Sequence, residues 1–349
     1  MVRAASGVAA VACSLVPGPD SSTPAALHDV VGIGNALVDV ISHADEGFLV
    51  EHELVKGSMT LVDTDRAMTL YRALGVSVEM SGGSAANTVC GVASFGGRAA
   101  YIGKVSNDDL GTVFGHDLRA VGVQFAAGRL DPATPTGRCV IVVTPDAQRT
   151  MNTYLGVSSL LAPDDIDVRV VAAGKVLYME GYLYDRPAAK EAFRHAARAA
   201  HAAGREVSLT LSDSFCVDRH RDDFRRLVTD EVDLLFGNED ELLSLYEVTS
   251  FVEAVERARE DCALAVVTRG KHGSVIVTRD EVLEIGIEHV PHVIDTTGAG
   301  DLYAAGFLYG YTHGSDLREC GRFGAIAAAE VIGHVGPRPL VELRRLIAS

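Results

Sequence analysis

At 349 residues the chain is long enough for one large α/β domain or two ordinary ones. Hydrophobic residues make up 48% and charged residues 22%, a composition that folds and excludes a disordered chain. A formal net charge of −16 with no Lys/Arg block argues against nucleic acid or an anionic membrane as partner, and no apolar run reaches the ~20 residues needed to span a bilayer.

Residues 1–28, "MVRAASGVAAVACSLVPGPDSSTPAALH", faintly imitate a signal peptide, but Ser, Pro and Ala dominate and the run is weakly apolar. The expectation is an unstructured extension before one domain over 29–349. The six cysteines are scattered without a Cys-x-x-Cys pair, which reads as free thiols in a reducing compartment.

The first strand is read at "DVVGIGNALVDV", 29–40. From residue 82 the pattern alternates: a helix through "GGSAANTVCGVASFGG", a strand "AAYIGKV", and a helix near 109–121. Strands follow at "KVLYME", "EVSLTL", "VDLLF" and "LAVVTRG", separated by helical stretches such as 187–203 and 239–246. The last third supplies a hairpin and two closing helices. Short apolar strands between amphipathic helices argue for a mainly parallel sheet covered on both faces. Two stretches, roughly 41–75 and 126–158, break this rhythm and are read as a small β lid over the sheet edge.

The chain lacks a Gly-x-x-x-x-Gly-Lys-Ser/Thr loop. "GIGNAL" opens like a dinucleotide fingerprint but has Leu37 where Gly or Ala is required. "TTGAGD" differs. Gly298, Ala299 and Gly300 offer small side chains just before a helix, so their N–H groups can converge on an anion with help from the helix dipole. Asp301, in the first turn, would repel a phosphate unless it accepts the proton of an attacking hydroxyl during phosphoryl transfer. The bland alternative is a helix-start charge.

"DTTGAGDLYAAGFLYGY" resembles the C-terminal signature of the ribokinase family of sugar and nucleoside kinases, and "GGSAANTVCGVASFGGRAAYIGKVSNDDLG", 82–111, resembles its first signature. "GNEDE", 237–241, and "VVTRG", 266–270, are further matches in the right order. The resemblance implies a three-layer α/β/α kinase domain with a mainly parallel central sheet and a small β lid.

It further implies ATP and Mg²⁺ as cofactors, with Asp301 as the base and Gly298, Ala299 and Gly300 as the anion hole. Asn238 would meet ATP, and Glu241 would hold Mg²⁺ through water. Thr268 and Gly270 would run past the nucleotide phosphates and ribose. Arg149 matches a lid arginine that reaches the transferred phosphate. Asp39 would grip two acceptor hydroxyls, with Asn35, Gly83 and Asn87 as neighbouring contacts. Asp295, Thr297 and the "GHVGPRP" loop, 333–339, resemble a monovalent-cation site beside the anion hole, which would take K⁺.

The acceptor is a nucleoside or a sugar. The family's adenosine kinases carry stretches similar to "EGYLYD" and "LTLSDSF", so that Leu183 and Phe215, with Tyr182, would sandwich a purine. The reading is a 5′-hydroxyl kinase for adenosine; the alternatives are a ribokinase- or fructokinase-type sugar kinase and a non-catalytic binding protein. A cytoplasmic monomer or homodimer is expected.

Overall fold

The computed structural model describes residues 25–128, 133–146 and 148–348. The extension expected at 1–28 therefore lies outside the described residues up to position 24, and His28 already belongs to the first strand, its N–H bonded to Ala173 O at 2.9 Å. In chain order the strands are β1 (His28–Ile33), β2 (Leu37–His43), β3 (Met59–Leu61), β4 (Ser77–Gly82), β5 (Ala99–Gly103), β6 (Gln124–Ala127), β7 (Gly137–Val143), β8 (Arg149–Tyr154), β9 (Gly174–Glu180), β10 (Glu206–Thr210), β11 (Leu234–Asn238), β12 (Leu264–Thr268), β13 (Ser274–Thr278) and β14 (Val282–Ile285).

Nine of them form one sheet in the order β14-β13-β12-β11-β10-β9-β1-β5-β6. Every pairing from β12 to β6 is parallel, and β13 and β14 close one edge antiparallel. The parallel strands read as continuous apolar runs because both faces are covered. Successive residues serve opposite layers. Val31, Leu177 and Met179 pack with the helices Pro187–Ala202 and Ser214–Glu231, whereas Val30 and Tyr178 pack with Ser84–Ser94, Ala299–Thr312 and Leu317–Ile332. The fold is a three-layer α/β/α sandwich.

The remaining five strands form a second sheet in the order β3-β8-β7-β2-β4. Here the structure corrects the sequence reading. Residues 29–40 are two strands in two sheets, because the chain leaves the main sheet at Gly34, where a Cβ would sit 2.3 Å from Glu180 Oε2. β4 lies beyond the expected 41–75 and escapes notice because it is short and runs straight into the helix Ser84–Ser94. β6 overlaps the start of 126–158 but pairs with β5 in the main sheet.

Two helices approach unusually closely. A Cβ on Gly91 would lie 2.5 Å from Ala305 Cβ and 2.8 Å from Leu302 Cδ1, so glycine sets the spacing between Ser84–Ser94 and Ala299–Thr312. That spacing brings their N-terminal ends together.

Candidate active site

The strand order reverses between β1 and β9, with β5 and β6 on one side and β10 to β12 on the other. Open α/β sheets bind ligands at such a switch point, outside the carboxyl ends of the strands. Glu180, the last residue of β9, is the hub there. Its Oε1 accepts from Asn35 Nδ2 at 2.8 Å and Asn35 N at 3.2 Å, and its Oε2 accepts from Ala85 N at 2.9 Å. Burial pushes its carboxyl up to about 7, against the pull of these donors. Asn35 Oδ1 also accepts from Ser158 Oγ, so the Asn35 amide belongs to a buried network. Gly83 has φ +95 and leads the next helix; a Cβ there would sit 2.2 Å from Asn35 O.

Gly298 leads the facing helix with φ +79, a conformation that favours glycine, and Pro337 would leave a Cβ no room, at 2.8 Å. Gly300 differs: a Cβ there would meet nothing within 4 Å, so the space beside it is open. Ala299 N–H closes a turn onto Thr296 O and is therefore not free for an anion. The N–H groups of Gly300 and Asp301 are first-turn donors without an intrahelical acceptor. Asp301 Oδ1 accepts from Ser84 Oγ at 2.6 Å, and Oδ2 accepts from Asn87 Nδ2 at 2.9 Å. Burial raises its pKa, while the Ser84 and Asn87 hydrogen bonds and the Arg338 charge pull it down. Asn87 Oδ1 is buried without a partner.

Asp39 faces this pair from β2. It is 9% exposed, and no hydrogen bond found among the described residues ends on its carboxylate, on which the charges of Arg338, Arg149 and Asp301 act. Gly82 makes the room: a Cβ there would lie 2.5 Å from the Asp39 carboxyl carbon and both its oxygens. Burial pushes Asp39 up to about 6, with Arg338 and Arg149 opposing and Asp301 adding to the rise. Asp39 and Asp301 are thus two acids in one electrostatic neighbourhood. Arg338 is anchored by Nη2 donating to Ser81 O and Ser81 Oγ at 3.0 and 3.1 Å.

Asn238 and Thr268 are register partners at the ends of β11 and β12, and Gly270 follows with φ +52 and open space about it. Asn238 and Glu241 form a reciprocal capping box. Asn238 is exposed but Glu241 is buried, and burial, with Asp213, Asp240 and Asp301 nearby, pushes Glu241 up to about 7. Each Glu241 oxygen accepts one bond from Asn238 and keeps a lone pair. A buried acid wanting positive charge fits Mg²⁺ held through water. Arg269 pairs with Glu239 at 2.9 Å and lies over the Phe251 ring, 4.1 Å from its centre.

Arg149 is carried by β8 to the edge of the glycine loop. Its Nη2 lies 2.8 Å from Asp295 Oδ2, an ion pair without an aimed N–H, and its Nη1 donates to Thr297 Oγ1 at 3.3 Å. Asp295 also accepts from Thr297 N, Thr297 Oγ1 and Gly336 N. The monovalent ion expected at Asp295 and Thr297 does not fit, because an arginine already neutralises the carboxylate.

The expected purine sandwich is also corrected. Leu183 is 2% exposed within the core, because the 3₁₀ turn Gly181–Asp185 rotates it inward. Tyr182 is the residue near the acids: Asp213, Glu241 and Asp301 all add to the burial that raises its phenol pKa. Its hydroxyl donates to Ser212 O. Phe215, on the first turn of the helix after Asp213, is 74% exposed. Glu180 and Ser84 escape the sequence reading, and Arg338 is read only as part of the "GHVGPRP" loop, not as a charge facing the two acids. An acid ending the apolar strand "KVLYME" was the one available signal.

A family model described as pfkB family carbohydrate kinase matches residues 72–343. The solved adenosine kinase of Sinorhizobium meliloti is 52% identical, with a TM-score of 0.85 over 92% of this chain and 98% of that one. A structure described as a probable sugar kinase from Rhizobium etli CFN 42 is 48% identical, with a TM-score of 0.86 over 93% and 98%. Adenosine kinase 1 of Arabidopsis thaliana is 25% identical over 331 residues, 88% of this chain and 94% of that protein. The match over most of the chain and the likeness of the fold show that the chain belongs to the pfkB family of carbohydrate kinases, enzymes that move a phosphoryl group onto a hydroxyl.

Proposed function

We propose that this kinase transfers the γ-phosphate of ATP to the 5′-hydroxyl of a purine nucleoside, adenosine foremost, with Asp301 as general base. The observation that carries the reading is the Asp39 carboxylate, buried beside Asp301 with no donor of its own. Two hydroxyls of a ribose diol are the donors such a group lacks, and charge-assisted bonds to them are strong. Asn87 Oδ1, also without a partner, is a further acceptor for the sugar. Bound this way, the sugar turns its 5′ end toward Asp301. The acid is held by Ser84 and Asn87 in one orientation, and burial makes it a stronger base than a solvated carboxylate.

The open space at Gly300, with the N–H groups of Gly300 and Asp301, supports a loop that receives the transferred phosphoryl group. Asn238, Thr268 and Gly270 lie along the strand ends where ATP would extend. Mg²⁺ would supply charge neutralisation on the phosphates, with Glu241 positioning its waters. The second sheet acts as a lid that excludes water on closing.

The nucleoside is preferred over a free sugar because Phe215 leaves a large ring exposed next to the turn that holds Tyr182. A purine face is a fitting cover for it. The similarity to the Sinorhizobium adenosine kinase agrees. Such an enzyme would return adenosine to the nucleotide pool in the cytoplasm. The likeness to the probable sugar kinase keeps ribose and fructose as the second reading. ADP release measured with adenosine, inosine, guanosine, ribose and fructose decides between them. Adenosine is expected to give the highest kcat/KM by at least about tenfold, a 1.4 kcal/mol preference. Turnover with free sugars and with no nucleoside overturns the assignment.

A further inference from the structure

We infer that the Arg149 guanidinium serves as a built-in cation at Asp295, so that this kinase needs no monovalent metal ion. The inference deepens the proposed phosphoryl-transfer site and rests on that reading. The two side chains are 8% and 9% exposed and meet at 2.8 Å, although they lie 146 positions apart on β8 and on the segment before the glycine loop. Arg149 also donates to Thr297 Oγ1, so it touches both residues that an ion would use.

The Asp295 oxygens are engaged by other donors as well. Asp295 Oδ1 is taken by Thr297 N and Thr297 Oγ1 at 3.1 and 2.8 Å, and Oδ2 by Gly336 N at 3.0 Å. The segment is also pinned from behind, where Ile294 N bonds Ile332 O at 2.8 Å. A metal ion placed on Asp295 would have to stand beside the Arg149 guanidinium, 2.8 Å from the same carboxylate.

The pair also has a use. Thr296 accepts the turn bond that shapes the start of the glycine loop, and Thr297 is fixed by Asp295 and Arg149. The guanidinium therefore braces the loop and adds positive charge beside its free N–H groups. These are the services a bound monovalent ion would render, supplied here by the second sheet.

The test compares wild type and Arg149→Ala in KCl, NaCl and tetramethylammonium chloride at equal ionic strength. Two readouts are taken: initial rate of ADP formation and thermal unfolding midpoint without substrates. Wild type is expected to vary less than about threefold in rate across the salts, with an unchanged midpoint. Arg149→Ala is expected to bind K⁺ in place of the guanidinium, shown by a midpoint that rises in KCl over tetramethylammonium. A wild-type rate more than about threefold higher in KCl overturns the inference, as does a variant whose midpoint ignores K⁺. The wild-type salt series decides alone should the variant not fold. The midpoint comparison needs no acceptor, so it stands apart from any failure of the adenosine assignment.

Discussion

The Ser84 hydroxyl donates a 2.6 Å hydrogen bond to Asp301 Oδ1, joining two glycine-led helices whose residues are 217 positions apart. The bond fixes the carboxylate's direction and favours its charged form, partly offsetting the burial that raises its pKa. Ser84→Ala is expected to remove that offset. With the acid's pKa raised further, the fraction present as base falls at a given pH. The acidic limb of the kcat profile should move up by about one pH unit, equivalent to about 1.4 kcal/mol. An unmoved limb, read from initial rates at saturating substrate, would show that the hydroxyl does not act on Asp301.

Asp301→Asn is expected to keep ATP binding and lower kcat by roughly 10²–10⁴, the usual contribution of a general base. Equilibrium binding of a nonhydrolysable ATP analogue gives the first quantity and steady-state rates the second. Near-normal turnover would falsify the base assignment.

Asp39→Asn is expected to raise the acceptor KM at least about tenfold and to change the KM for ATP little, since the carboxylate's missing donors lie on the acceptor. The same substitution should stabilise the unliganded protein at pH 7.5. In the folded state the acid titrates near 6, above its ordinary 3.8, so the protonated form is favoured by folding. That contribution is complete below 3.8 and lost as pH rises through about 6, leaving a charged group buried. The gain from Asp39→Asn is up to about 3 kcal/mol at pH 7.5 and shrinks toward pH 5. Urea unfolding at the two pH values measures it; a pH-independent difference would refute the coupling.

Gly91→Ala tests the helix spacing. The methyl would press on Ala305 and Leu302, and overpacking of this kind costs about 1–3 kcal/mol. Because the same helices carry Asn87 and Asp301, kcat should fall along with the unfolding midpoint. A variant of wild-type stability would mean that the helices can part without cost.

What could be read from the sequence was local. Loop glycines and apolar strand runs announce themselves within a few positions, and the glycine-led start of the helix Ala299–Thr312 and most strands of the main sheet are of that kind. What escaped depended on distant partners. The break after Ile33 exists because Glu180 claims the space beside Gly34, and the Asp295 carboxylate meets Arg149 only through the fold. Leu183 was misplaced for a different reason: a 3₁₀ turn changes the phase at which side chains face the site.

Asp39 stands on the small sheet and Asp301 on the helix Ala299–Thr312, which packs on the large one, and residues 34–36 are one of the short places where the chain passes from sheet to sheet. An acceptor gripped at one end and deprotonated at the other would rivet the two sheets together. Product would then escape only when that rivet loosens. The tempo at which the small sheet parts from the large one would then set how quickly the enzyme is ready for its next turnover.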